Sequence, residues 1–81
     1  MSREELKEWI ENGHEIEFDY NNKKYSISQG KLNGKHVISF CEFYKETTEV
    51  ETFDELCKVE RDGKTVIEMI TSITENDLWI N

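Results

Sequence analysis

The stretch that most constrains this chain is His14-Glu15-Ile16-Glu17-Phe18-Asp19-Tyr20, where apolar and charged residues alternate without a break. Successive side chains of a strand point to opposite faces. A period of two therefore gives one sheet face Ile16, Phe18 and Tyr20, and the other face three carboxylates. Asn21-Asn22 follows as a two-residue turn, because asparagine accepts positive φ more readily than most residues. Antiparallel pairing across it sets Phe18 opposite Tyr25, Ile16 opposite Ile27, and Asp19 opposite Lys24 on the outer face. Each pair matches in character, as a well-specified register requires.

Asn33-Gly34 is a second hairpin signal. Counting back from it pairs Ile27 with Phe40 and Ser28 with Ser39, and then sets Tyr25 against Glu42. That mismatch predicts a bulge or strand end near Cys41-Glu42, returning Phe43 to the core side. The expected inner residues are Ile16, Phe18, Tyr20, Tyr25, Ile27, Ile38 and Phe40.

Around these strands the periodicity changes. Ser2-Arg3-Glu4-Glu5 matches a capping box, and Leu6, Trp9 and Ile10 then fall on one helical stripe that Asn12-Gly13 closes. Lys45 to Glu51 reads as a polar connector. Thr52-Phe53-Asp54-Glu55 opens a short second helix with Phe53, Leu56 and Cys57 on one side. Asp62-Gly63 turns the chain, and Thr65-Val66-Ile67-Glu68 opens a third helix carrying Val66, Ile67, Met69, Ile70 and Ile73. A hairpin over residues 59–67 is the alternative there, favoured by β-branched Thr65, Val66 and Ile67. Leu78-Trp79-Ile80 is expected to pack, since such a triplet left exposed would be an association patch.

The fold class expected is α+β: a three-stranded antiparallel meander with helices on one face, in the order α-β-β-β-α-α. Residues 1–81 are read as a single domain, the size at which only one modest core can form.

The chemistry-bearing residues do not assemble into a signature. His14, His36, Cys41 and Cys57 contain neither a C-x-x-C nor an H-x₃₋₅-H spacing, so no metal is expected. Cys41 falls on the outer face and the histidines on the inner one, which separates any cysteine–histidine pair. The carboxylates lie at outward positions, where burial cannot raise one of them for general-acid work. Gly13, Gly30, Gly34 and Gly63 form no phosphate loop. No catalytic residue and no cofactor is expected, and the chain is read as not an enzyme; a small enzyme with an unrecognised site is the most distant alternative. With no secretory signal and no long apolar run, the expected location is cytoplasmic, away from membranes, with reduced cysteines.

What remains is charge. The formal net charge is −8, from 18 acidic against 10 basic side chains, which disfavours direct nucleic-acid binding. Residues 1–22 and 42–55 each carry −5, while Lys23, Lys24, Lys31 and Lys35 give residues 23–36 a charge of +4. This predicts an acidic body with one basic corner. On an edge strand, Glu15, Glu17 and Asp19 would simply discourage pairing with another strand. The functional reading joins them to Glu46, Glu49 and Glu51 as an interaction surface for a protein partner. A non-enzymatic interaction or regulatory module is therefore the leading expectation.

Glu5-Leu6-Lys7-Glu8-Trp9-Ile10-Glu11-Asn12-Gly13, followed by Glu15-Ile16-Glu17-Phe18-Asp19-Tyr20, resembles the short uncharacterised proteins of Gram-positive bacteria and their mobile elements. The expected element order and acidity are also similar to one type of anti-CRISPR protein. That likeness implies an alternative function, inhibition of a nuclease by carboxylates standing where nucleic-acid phosphates would lie. It covers topology and charge only, so no site residue carries over from it.

Overall fold

The computed structural model describes all of residues 1–81. Its elements run α1 (Arg3–Glu11), β1 (Ile16–Tyr20), β2 (Lys23–Leu32), β3 (Lys35–Glu42), β4 (Thr47–Val50), α2 (Phe53–Lys58), β5 (Glu60–Arg61), β6 (Lys64–Thr65), α3 (Val66–Ser72) and β7 (Leu78–Ile80), with a 3₁₀ turn at Glu75–Asp77 before the last strand. The protein is α+β, built on a five-stranded sheet in the order β4-β3-β2-β1-β7, with all pairings antiparallel. No helix is long and apolar enough to cross a membrane.

The turns set the register. Asn21 and Asn22 take φ of 52° and 64°, Asn33 and Gly34 take 54° and 82°, and Asp62 and Gly63 take 53° and 79°. Two consecutive positive φ values are the type I′ pattern, whose twist matches that of the flanking strands. Across the first turn Ile16 faces Ile27, Phe18 faces Tyr25 and Asp19 faces Lys24; across the second, Ile27 faces Phe40 and Ser28 faces Ser39.

Four features differ from expectation. The sheet has five strands rather than three, because residues 47–50 pair with β3 and residues 78–80 pair with β1. The polar connector is thus partly a strand, in which Val50 faces Ile38 and Thr48 faces Phe40. Near Cys41-Glu42 the expected strand end occurs, β3 stopping at Glu42 opposite Tyr25 without a bulge, but Phe43 does not return to the core side, and its amide donates to the Lys24 carbonyl at 2.8 Å. Around Asp62-Gly63 both readings hold, a two-rung β5–β6 hairpin leading directly into α3.

One core results. Leu6 and Ile10 of α1, Leu56 of α2, and Val66, Met69 and Ile70 of α3 pack with Ile16, Phe18, Tyr25, Ile27, Ile38 and Phe40. The helices therefore cover a single face of the sheet. Leu78 and Ile80 join this side as half-buried residues, opposite Phe18 and Ile16. The small hairpin is tied down by Arg61, whose guanidinium donates to the Thr48 hydroxyl and lies 5.6 Å from the Phe40 ring centroid.

All three helices open on reciprocal capping boxes: Ser2 with Glu5, Thr52 with Glu55, and Thr65 with Glu68. The cap amides of Ser2 and Thr65 donate to the Glu5 and Glu68 carboxylates at 3.1 and 3.0 Å. Hydrogen bonds to the cap residues, the backbone contribution first, hold both carboxyls below their ordinary value of 4.5. A carboxyl lowered by folding stabilises the fold above its unfolded pKa, and that contribution is lost as pH falls through the folded one. Stability is therefore expected to decline below about pH 4.5, and the double variant E5Q/E68Q should lose part of that decline. Urea midpoints followed from about pH 6 to pH 3 test this; parallel curves for both proteins would refute it.

Candidate functional site

With every helix on one face, the other face of the sheet is left open. Strand alternation assigns its residues: Glu17 and Asp19 from β1; Lys24, Ser26, Ser28 and Gly30 from β2; Ser39 and Cys41 from β3; Thr47 and Glu49 from β4; and Trp79 from β7. The centre is therefore small and polar, with a Ser26 Oγ to Cys41 Sγ contact of 3.1 Å. Val37 shares this parity but is buried, opposite the bare backbone of Gly30, and Leu32 beside that end is exposed.

Aromatic and charged groups meet at the other end of the face. Because β3 carries no bulge, Phe43 continues the outward parity of Ser39 and Cys41 instead of returning to the core. It lines a depression of about 210 Å³ together with Glu17, Asp19, Lys24 and Trp79. Phe18 and Tyr25 form its floor with their backbones, since their rings are buried on the opposite side. Within the depression the Lys24 ammonium lies 3.1 and 3.4 Å from the two Asp19 carboxylate oxygens. It also lies 5.2 Å from the Trp79 ring centroid. Trp79 stands opposite Glu17 in the β1–β7 ladder and is 44% exposed.

Tyr44 follows directly, its ring edge-on to Phe43 at 6.2 Å. It is fully solvent-exposed and its φ is +68°. For a bulky side chain the left-handed region is strained, and here no burial of the ring offsets that strain.

The acidic residues singled out in the sequence do not form one continuous row. Glu17 and Asp19 face outward on β1, and Glu15 lies just before it, exchanging backbone hydrogen bonds with Asn81. Glu49 is on the same face but on β4, three strand positions away, or about 14 Å at the usual interstrand spacing. Glu46 lies in the β3–β4 turn. Glu51 sits past the end of β4, lining a different hollow with Lys7, Gln29 and His36 near the end of α1. Nor is β1 an edge strand, because β7 covers it; the edges are β4 and β7.

The basic corner is likewise divided. Lys23 and Lys24 lie at one end of β2 and Lys31 near the other, about 27 Å apart for an extended strand. The first two are neutralised locally, Lys23 by Asp62 and Lys24 by Asp19. The Asp62 hydrogen bond is the main reason that the Lys23 ammonium is held above its ordinary pKa.

The remaining reactive groups are dispersed. Cys57 is buried on the inner side of α2, and burial pushes its thiol pKa up. His14 Nδ1 lies 3.0 Å from the Asn81 carbonyl, which can only accept. His36 Nε2 lies 2.9 Å from Gln29 Oε1, and the Gln29 amide donates to the Ile10 carbonyl, linking β2 and β3 to α1. No three His, Cys, Asp or Glu side chains are grouped so as to share a metal ion. No family model, curated protein or solved structure matches this chain.

Sequence reasoning found the acids of this surface and missed its aromatics. Phe43 is expected on the core side after a bulge or strand end and Trp79 in a packed tail, and Tyr44 has no expected role. The sequence carries no signal for either: the alternation through Ile38 and Phe40 breaks at Glu42, and Leu78-Trp79-Ile80 is apolar throughout.

Proposed function

We propose that this protein is a non-enzymatic binding module that docks a basic surface of another protein on its open sheet face. The observation that carries this reading is the cluster at one end of that face. Trp79 and Phe43 stand half-exposed beside Glu17 and Asp19, and the exposed Tyr44 ring lies edge-on to Phe43. Aromatic side chains rimmed by charge are the composition of interface hot spots, where a desolvated ring anchors and charge sets orientation. Tyr44 takes the positive-φ position of a turn closed by the Lys45 amide and the Glu42 carbonyl at 3.0 Å, where glycine or asparagine is the usual residue, so an exposed tyrosine there supports the same reading.

Nucleic-acid mimicry is less well supported by this layout. A mimic needs its carboxylates spaced along one track, whereas Glu17 and Asp19 are separated from Glu49 by the serine-lined centre, and Glu51 lies elsewhere.

The test is charge reversal on the open face. The double variant E17K/D19K is expected to release a partner captured by the native protein, and capture should weaken steeply as ionic strength rises from about 0.05 to 0.5 M. Capture indifferent to both the variant and the salt would overturn the proposal.

A further inference from the structure

We infer that the depression between Trp79 and Phe43 is a guanidinium site, and that the partner presents an arginine to it. This rests on the binding-module reading and adds the chemistry of the contact.

The chain already shows a cation held there. The Lys24 ammonium is shared between the Asp19 carboxylate, at 3.1 Å, and the face of Trp79, at 5.2 Å from the ring centroid. An aromatic face beside a carboxylate is the arrangement that attracts organic cations. A second carboxylate, Glu17, stands two residues from Asp19 on the same strand face and takes part in none of the ion pairs. Two carboxylates against one ammonium leave the depression with a negative charge that its own lysine does not balance.

The shape of the site favours arginine over lysine. A guanidinium is planar, stacks on an indole, and can fork onto a carboxylate while its flat faces touch apolar walls. Trp79 and Phe43 are those walls, and Glu17 and Asp19 are the acceptors. An ammonium is more strongly hydrated and makes one compact contact, which Lys24 already supplies. An incoming arginine therefore displaces Lys24 from Trp79 and Asp19, and the lysine stem swings into solvent. An anion is disfavoured, since the single ammonium is already paired with Asp19 and Glu17 adds a second negative charge to the lining.

The probe is N-acetyl-arginine methylamide, compared with its citrulline counterpart, which keeps the shape and loses the charge. Binding is read from the Trp79 indole N–H resonance, assigned by its absence in Trp79→Phe. The expected result is a saturable shift with arginine at roughly millimolar affinity, and none with citrulline. Glu17→Gln should weaken binding about fivefold, the order of one exposed cation contact. Lys24→Met, which keeps the stem and removes the internal competitor, should tighten it by a similar factor.

Equal response to citrulline, an unsaturable arginine response spread over all the acidic residues, or weaker binding by Lys24→Met would overturn the inference. If arginine fails while E17K/D19K still releases a captured partner, only the arginine assignment falls. If charge reversal also has no effect, the binding-module reading falls with it.

Discussion

Phe40→Ala is expected to cost about 3–5 kcal/mol, the range for deleting a fully buried aromatic ring. Phe40 has no exposed surface, and it lies on the middle of β3 where several contacts converge. Its ring stacks on Tyr25 at 5.5 Å and 7°, and lies 6.4 Å from Phe18, which itself stacks on Tyr25 at 5.3 Å. Three adjacent strands thus share one aromatic layer, and Arg61 closes its outer end. Removing this ring leaves a cavity that α2 and β4 must collapse into, while the β5–β6 hairpin loses the surface it rests on. A domain of this length has a total stability of about 4–12 kcal/mol, so the variant should lie close to its unfolding threshold at room temperature. Phe40→Leu keeps most of the volume and should cost only about 1–1.5 kcal/mol. Urea denaturation followed by tryptophan fluorescence separates the two. A loss below about 1.5 kcal/mol for the alanine variant would mean that this layer is not the centre of the core.

The central hairpins were legible because local and long-range preferences agree there. Asn21-Asn22 and Asn33-Gly34 each demand a tight turn, and the registers they impose place apolar residues opposite one another. The capping boxes were legible for a similar reason, since Ser2, Thr52 and Thr65 each have a glutamate three residues on. What could not be read was the part settled by tertiary contact. Thr47-Thr48-Glu49-Val50 is too short and too polar to announce a strand; it becomes one because β3 offers an unpaired edge and Val50 finds Ile38. Leu78-Trp79-Ile80 is three residues long, so its alternation cannot be distinguished from the end of a helix until β1 is seen to lack a partner on that side.

The candidate site was half legible for the same reason. The outward acids of β1 follow directly from period two. The grouping of lysines into one corner did not survive, because residues close in sequence were separated by the length of β2. Phe43 was misplaced because Glu42 falls at an inward position, a mismatch that argues for a break in register just before it. The backbone hydrogen bond to Lys24 preserves the ladder and carries the ring outward instead.

Tyr44→Gly is expected to make the protein more stable and to bind less well. Glycine occupies φ near +68° without the steric penalty that a β-carbon incurs, and Tyr44 buries nothing that would be lost apart from its edge contact with Phe43. The net gain should be about 0.5–1 kcal/mol, after allowing for the greater freedom of glycine in the unfolded chain. For a domain of this size that raises the melting temperature by about 2–8 °C. Trp79→Ala should cost only about 1 kcal/mol, far less than a core ring, because the ring is half exposed and lies on the side of β7 away from the core. If these two rings anchor a partner, each truncation costs affinity, Trp79 most, at about 2 kcal/mol or roughly thirtyfold. The opposite signs matter more than either size. A residue kept only for folding loses stability and affinity together when it is removed, because the site is lost with the fold. A residue that strains the backbone in order to present a ring loses affinity while the fold improves. Thermal melts and titration against the captured partner, run on the same preparations of Tyr44→Gly and Trp79→Ala, read both quantities. A destabilised Tyr44→Gly would show that the turn needs the tyrosine for its own structure, and unaltered affinity in both variants would remove the aromatic cluster from the interface.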